Sequence, residues 1–143
     1  MTLRRRLRRA SPYLLALLLG AAGVNHFVHP DAYDRIVPEW LPATRAITYG
    51  SGVAELVCAA LVLVPATRRV GGWATVGLFV LVFPANVVMA LDGGLPGSAS
   101  FTGSATAAWL RLPLQVPLVW WAVTVARDPR QEASPAQSRQ QVV

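Results

Sequence analysis

The sequence predicts an all-α fold, a bundle of four transmembrane helices with both termini cytoplasmic, and three observations carry that expectation. Of 143 residues, 54% are hydrophobic and only 14% charged, where a soluble domain averages about 25% charged. Four apolar stretches, Pro12–Val28, Ile47–Val64, Val70–Leu91 and Trp109–Ala126, run 17, 18, 22 and 18 residues, and a helix needs about 17–25 to cross a bilayer. The arginines gather in alternate connections between those stretches, the asymmetry that sets membrane topology.

Residues 1–11 form a basic cytoplasmic N-terminus, with Arg4, Arg5, Arg6, Arg8 and Arg9 ahead of the first span. The net charge of +6 therefore reads as a membrane flank, and no nucleic-acid partner is expected. Basic residues before a Leu-rich run and small residues at Gly20–Gly23 also allow a second reading, a cleaved signal peptide over Arg4–Gly23. The loop His29–Ala46 mixes Pro30, Pro38 and Pro42 with Tyr33, Ile36, Val37, Trp40 and Leu41. That pattern suits a short interfacial helix and turn, able to act as a lid on the outer surface.

Arg68 and Arg69 follow the second span, and Arg127, Arg130 and Arg139 follow the fourth, whereas the intervening outer loops hold only Arg35 and Arg45. Tyr33, Trp40 and Trp109 then fall at the outer interface, and Tyr13, Trp73, Trp120 and Trp121 at or near the inner one. The loop Asp92–Ala108 is rich in Gly, Ser, Ala and Thr and reads as flexible. Residues 12–126 make one membrane domain, and residues 127–143 read as a disordered cytoplasmic tail. Because the spans lack period-2 alternation, helices alone satisfy the backbone in hydrocarbon.

Polar side chains inside such spans cost about 2.5–3.5 kcal/mol for a central charge and need partners or a purpose. Here they are His26, Glu55, Asn86, Arg111 and Gln115. At about 1.5 Å rise per residue, His26 and Arg111 lie roughly 3 Å below the outer end of their helices, Asn86 about 7–8 Å, Gln115 about 9 Å and Glu55 about 12 Å. All five share the outer half, which suggests one polar pocket opening outward. Arg111 and Gln115 are i,i+4 neighbours, as are Ser51 and Glu55. The expectation is a Glu55–Arg111 pair, direct or water-bridged, completed by Asn86, His26 and Gln115. Pro84 frees the carbonyl of Val80, and Pro113 and Pro117 free those of Trp109 and Pro113, near the same layer.

Blander readings stand beside these. The charged pair could simply hold helices together, and Asn86 could be interhelical glue. Gly50, Gly52, Ala54 and Ala59 read as close-packing positions. The single cysteine, Cys58, excludes a disulfide framework or cysteine metal cluster within this chain and reads as a small buried apolar residue. No metal site is expected: a bis-His haem needs a facing ligand, and His29 is only three residues from His26.

Several runs look alike to a known group: Gly23-Val-Asn-His26-Phe-Val-His-Pro30, Ile36-Val-Pro38-Glu-Trp-Leu-Pro42, Ser51-Gly52-Val-Ala-Glu55, Val82-Phe-Pro84-Ala-Asn86-Val-Val-Met89-Ala and Arg111-Leu-Pro113-Leu-Gln115. Over about His26 to Trp121 the chain resembles the DoxX-like family of small bacterial membrane proteins. Phe-Pro-Ala-Asn and Arg-Leu-Pro-Leu-Gln carry most of the likeness, and Ser-Gly-x-x-Glu adds little. The resemblance implies a four-helix, multi-pass protein of the bacterial inner membrane. It further implies, for some members, quinone-linked oxidation of thiosulfate or thiol redox defence beside other subunits. The family's recurring polar residues match the same five positions.

The functional expectation is a membrane subunit of a quinone-linked sulfur or thiol redox complex, with protein partners and the lipid bilayer around it. Arg111, Asn86 or Gln115 would bond a quinone's carbonyl oxygens, and Glu55 or His26 would exchange protons. No covalently bound cofactor is expected, and quinone is the one ligand implied. The sequence leaves enzymatic activity open, as a quinone-linked oxidoreductase subunit rather than a stand-alone catalyst. The alternatives are a small-solute carrier or binding protein and a purely structural membrane anchor.

Overall fold

The computed structural model of the protein describes residues 3–95 and 103–128, and every described element is helical: α1 (Leu3–Val28), α2 (Pro30–Asp34), α3 (Thr44–Leu63), α4 (Arg68–Leu91) and α5 (Ala105–Ala126). The four long helices cover the four apolar stretches, apart from Val64, which caps α3. The short α2 rises from the His29–Ala46 loop, with Pro30 at its first turn, where a missing N–H costs nothing. Part of the Asp92–Ala108 loop and nearly all of the tail from residue 127 lie outside the described residues.

Three helical segments are long and apolar enough to cross a membrane: Arg6–Val28, Thr44–Leu63 and Arg68–Leu91. α5 is of comparable length, but Arg111, Gln115, Pro113, Pro117 and its tryptophans dilute its apolar character. Its helix nevertheless runs unbroken through both prolines, as α4 does through Pro84. Inside the three apolar segments no more than 33% of a window is buried by the protein itself. Leu17, Val70, Leu81 and Val116 stand more than half exposed. Apolar side chains thus make up much of the outer surface of helices long and apolar enough to cross a membrane.

α1 packs on α3, α3 on α4 and α4 on α5, with a lighter contact from α1 to α5. Arg8, Pro65, Arg68 and Asp128 line one cavity, so the basic N-terminus, the α3–α4 turn and the end of α5 share one end and successive long helices run in opposite directions. All four long helices feed one core there: Leu15, Ala16 and Leu19 from α1, Cys58, Ala59 and Val62 from α3, Phe79 from α4, and Ala122 and Val125 from α5. Trp121 Nε1 donates to Ser11 Oγ at 2.8 Å, tying α5 to α1. At the other end Met89, Ala90 and Ala108 form a smaller cluster against which Ile36, from the loop after α2, also packs.

Leu81, 75% exposed near the middle of α4, tests the lipid-facing assignment. Leu81→Arg should add about 2.5–3.5 kcal/mol to insertion and shift the protein out of the carbonate-resistant membrane fraction. An unchanged fraction would place that face away from lipid.

Candidate functional site

The polar site begins with two glycines. A Cβ on Gly23 would sit 2.9 Å from the carbonyl oxygen of Gly52, and one on Gly52 would sit 3.0 Å from that of Gly23 and 2.7 Å from His26 Cβ. Helices α1 and α3 therefore touch backbone to backbone, a contact only residues without side chains permit. Three residues on from each glycine, one turn along each helix, come His26 and Glu55. They meet face to face, His26 Nε2 lying 3.4 Å from Glu55 Oε2, with side chains 9% and 15% exposed.

This pair is incompletely satisfied. Among the described residues His26 Nδ1 and Glu55 Oε2 are buried without a hydrogen-bond partner, so the 3.4 Å approach is a close contact without hydrogen-bond alignment. Buried polar groups in that condition are uncommon and expensive. Tyr33 of α2 stacks on the imidazole, ring centroids 3.6 Å apart and 27° between planes. The Tyr33 hydroxyl accepts from Asn25 Nδ2 at 2.9 Å.

The α2 helix is clasped over the pair. Arg45 reaches Asp31 Oδ1 with Nη2 at 2.6 Å and Asp34 Oδ2 with Nε at 2.9 Å. The buried Thr48 hydroxyl donates to Asp34 Oδ1 at 2.6 Å. The first turn of α3 thus holds both carboxylates of α2, and the short helix expected in this loop forms, latched by an ion-pair network. Sequence reading missed Asn25, Asp31, Asp34, Arg45 and Thr48 as site residues. The signal was present in part: two acids in a five-residue helix face an arginine and a threonine at the start of the next one.

The expected Glu55–Arg111 pair does not form. Glu55 meets His26, and Arg111 Nη1 donates to Met89 Sδ at 3.4 Å. The reason is the order of packing: α3 and α5 are each neighbours of α4 and have no substantial contact with one another. Asn86 and Gln115 do come together across α4 and α5, Asn86 Nδ2 donating to Gln115 Oε1 at 3.5 Å. Gln115 Nε2 donates to the carbonyl of Phe79 at 2.5 Å, one residue before the carbonyl that Pro84 frees. Among the described residues no hydrogen bond or ion pair joins His26 or Glu55 to Asn86, Arg111 or Gln115. The five polar residues thus divide into an α1–α3 pair and an α4–α5 set.

Gly52 matches its expected packing role, but Gly50 faces open space. Among the described residues no group of three His, Cys, Asp or Glu side chains could hold a metal ion. A cavity lies at the opposite, basic end of the molecule.

The profile of the family described as "Domain of unknown function (DUF8561)" matches residues 15–126. The chain belongs to that family. The match takes in both polar sets and the α2 clasp between them. No curated protein and no solved structure matches the chain.

Three substitutions test this arrangement. Gly52→Val should force α1 and α3 apart and lower stability by about 1–3 kcal/mol, while Gly50→Ala should be nearly neutral, as thermal unfolding in detergent would show. Arg45→Met should release α2, read as faster proteolysis between residues 29 and 43 with the rest of the protein intact. Protection equal to the parent would mean that the clasp does not hold the loop.

Proposed function

We propose that the chain is a multi-pass protein of the bacterial inner membrane, four helices bundled with both termini cytoplasmic, in which the His26–Glu55 pair is an outward-facing site for hydrogen bonding and proton exchange. On this reading, which the motif resemblance to DoxX-like proteins supports, it is the membrane subunit of a quinone-linked redox complex with protein partners. The observation that carries it is the pair of buried, unpartnered atoms, His26 Nδ1 and Glu55 Oε2, 91% and 85% of whose side chains are withdrawn from solvent. A group at this depth with spare hydrogen-bonding capacity is a functional site by default.

The residues fit a quinone head group: a histidine N–H can donate to a carbonyl oxygen, and a carboxyl can give or take the accompanying proton. When bound, a quinone supplies the capacity to accept two electrons with two protons. Tyr33, stacked on His26, fixes the plane of the imidazole, and the latched α2 excludes bulk water from the pair. Asn86 and Gln115 spend their hydrogen bonds on one another and on the Phe79 carbonyl, which makes them braces between α4 and α5. The ligand contacts first expected of Arg111, Asn86 and Gln115 therefore pass to His26 and Glu55.

The clasp of α2 also favours a second reading, a binding or carrier protein for a small polar solute admitted when α2 lifts. Organic extraction of the protein purified in mild detergent separates the two. The quinone reading expects bound quinone in the parent and its loss in Glu55→Gln and His26→Phe, with both variants still folded. A parent without quinone overturns it. A purely structural pair predicts something else: the double variant His26→Phe/Glu55→Leu should be more stable than either single one, because each single change strands a buried partner at about 1–3 kcal/mol.

A further inference from the structure

The end of the molecule that carries the N-terminus has a cavity of about 310 Å³, walled by α1, the α3–α4 turn and the residues after α5. Arg8 and Arg9 of α1 and Arg68 of α4 line it, against a single acid, Asp128. Pro12 and Tyr13, one helical turn past the two N-terminal arginines, and Pro65 give it an apolar floor. Nothing in the His26–Glu55 site or its proposed chemistry uses this cavity.

Its guanidinium groups are not equivalent. Arg68 is held rigidly: Nε donates to the Val62 carbonyl at 2.8 Å and Nη2 to the Leu63 carbonyl at 3.0 Å, with the group 5.4 Å from the centre of the Tyr13 ring. These bonds close the C-terminus of α3 and leave Nη1 for a further acceptor. Arg8 and Arg9 are exposed at the mouth. A fixed arginine at the back and two solvated arginines in front, above a proline and tyrosine floor at helix-end level, fit a tetrahedral anion joined to an apolar body.

We propose that this cavity binds the phosphate headgroup of an anionic phospholipid, with Arg68 and Arg8 or Arg9 on the phosphate oxygens and the glycerol and upper acyl chain against Tyr13, Pro12 and Pro65. Basic pockets between helices at a membrane interface take such headgroups, and the lipid-facing helix surfaces put phospholipid at the cavity's edge. The carboxylate of Asp128 on the lining opposes a second negative charge, which suits a headgroup with a single phosphodiester.

The test is lipid retention by native mass spectrometry of the full chain, released from nanodiscs of phosphatidylglycerol, phosphatidylcholine or an equal mixture. The parent should retain phosphatidylglycerol over phosphatidylcholine, and Arg8→Gln/Arg9→Gln should lower that retention about tenfold or more. Arg6→Gln/Arg69→Gln removes the same charge outside the cavity lining and should change it less than about twofold. Arg8→Lys/Arg9→Lys keeps the charge and should retain an intermediate amount, provided circular dichroism shows the parent's helix content. Equal losses in the two glutamine pairs would reduce the effect to general surface charge and overturn the site. So would equal retention of phosphatidylcholine, or displacement of the lipid by inorganic phosphate alone, which would make it a free-phosphate site.

Discussion

Where α1 crosses α3 there is no space for a side chain on either glycine, and much of the molecule follows from that contact. In hydrocarbon, helices have little hydrophobic reason to associate, and close backbone approach with its dispersion contacts is what holds such helices together. Gly23 and Gly52 set the separation of α1 and α3, and at that separation the side chains of His26 and Glu55, one turn from the glycines in opposite directions along the antiparallel pair, are close enough to reach each other. The pair is a consequence of packing. Its cost, two buried atoms without partners, is carried by the same contact.

The molecule then treats its polar groups in two different ways. Between α4 and α5, Asn86 and Gln115 satisfy one another and the Phe79 carbonyl, which suits side chains whose task is to brace two proline-bearing helices. Between α1 and α3 satisfaction is left incomplete, and a separate device is built over the gap: α2, latched by Arg45 and Thr48 to Asp31 and Asp34. Ile36, just beyond that latch, packs on the cluster at the tips of α4 and α5.

The two ends also differ in charge. At the α2 end arginine is neutralised by paired carboxylates, while at the N-terminal end three arginines of one cavity meet a single aspartate. Arg68 there caps α3 through two carbonyls, so one residue of the basic end both finishes a helix and shapes a recess. One side chain thus links the charge asymmetry of the sequence to the local geometry of a turn.

The helical class, the positions of the four long helices and the presence of polar side chains near one end were legible in the sequence. Each depends on composition and periodicity along a single segment. The short helix after Pro30 was legible for the same reason, since a proline start and an amphipathic run are local signals. Partner choice was not. Depth along each helix placed Glu55 and Arg111 in the same layer, but depth is one coordinate, and which helices are neighbours is another. The order of packing set α4 between α3 and α5, so Glu55 met His26 and Arg111 met Met89. The sequence determined which groups needed partners in an apolar medium; the tertiary structure decided who the partners are, because contact between helices depends on rotation and adjacency, which no single segment encodes.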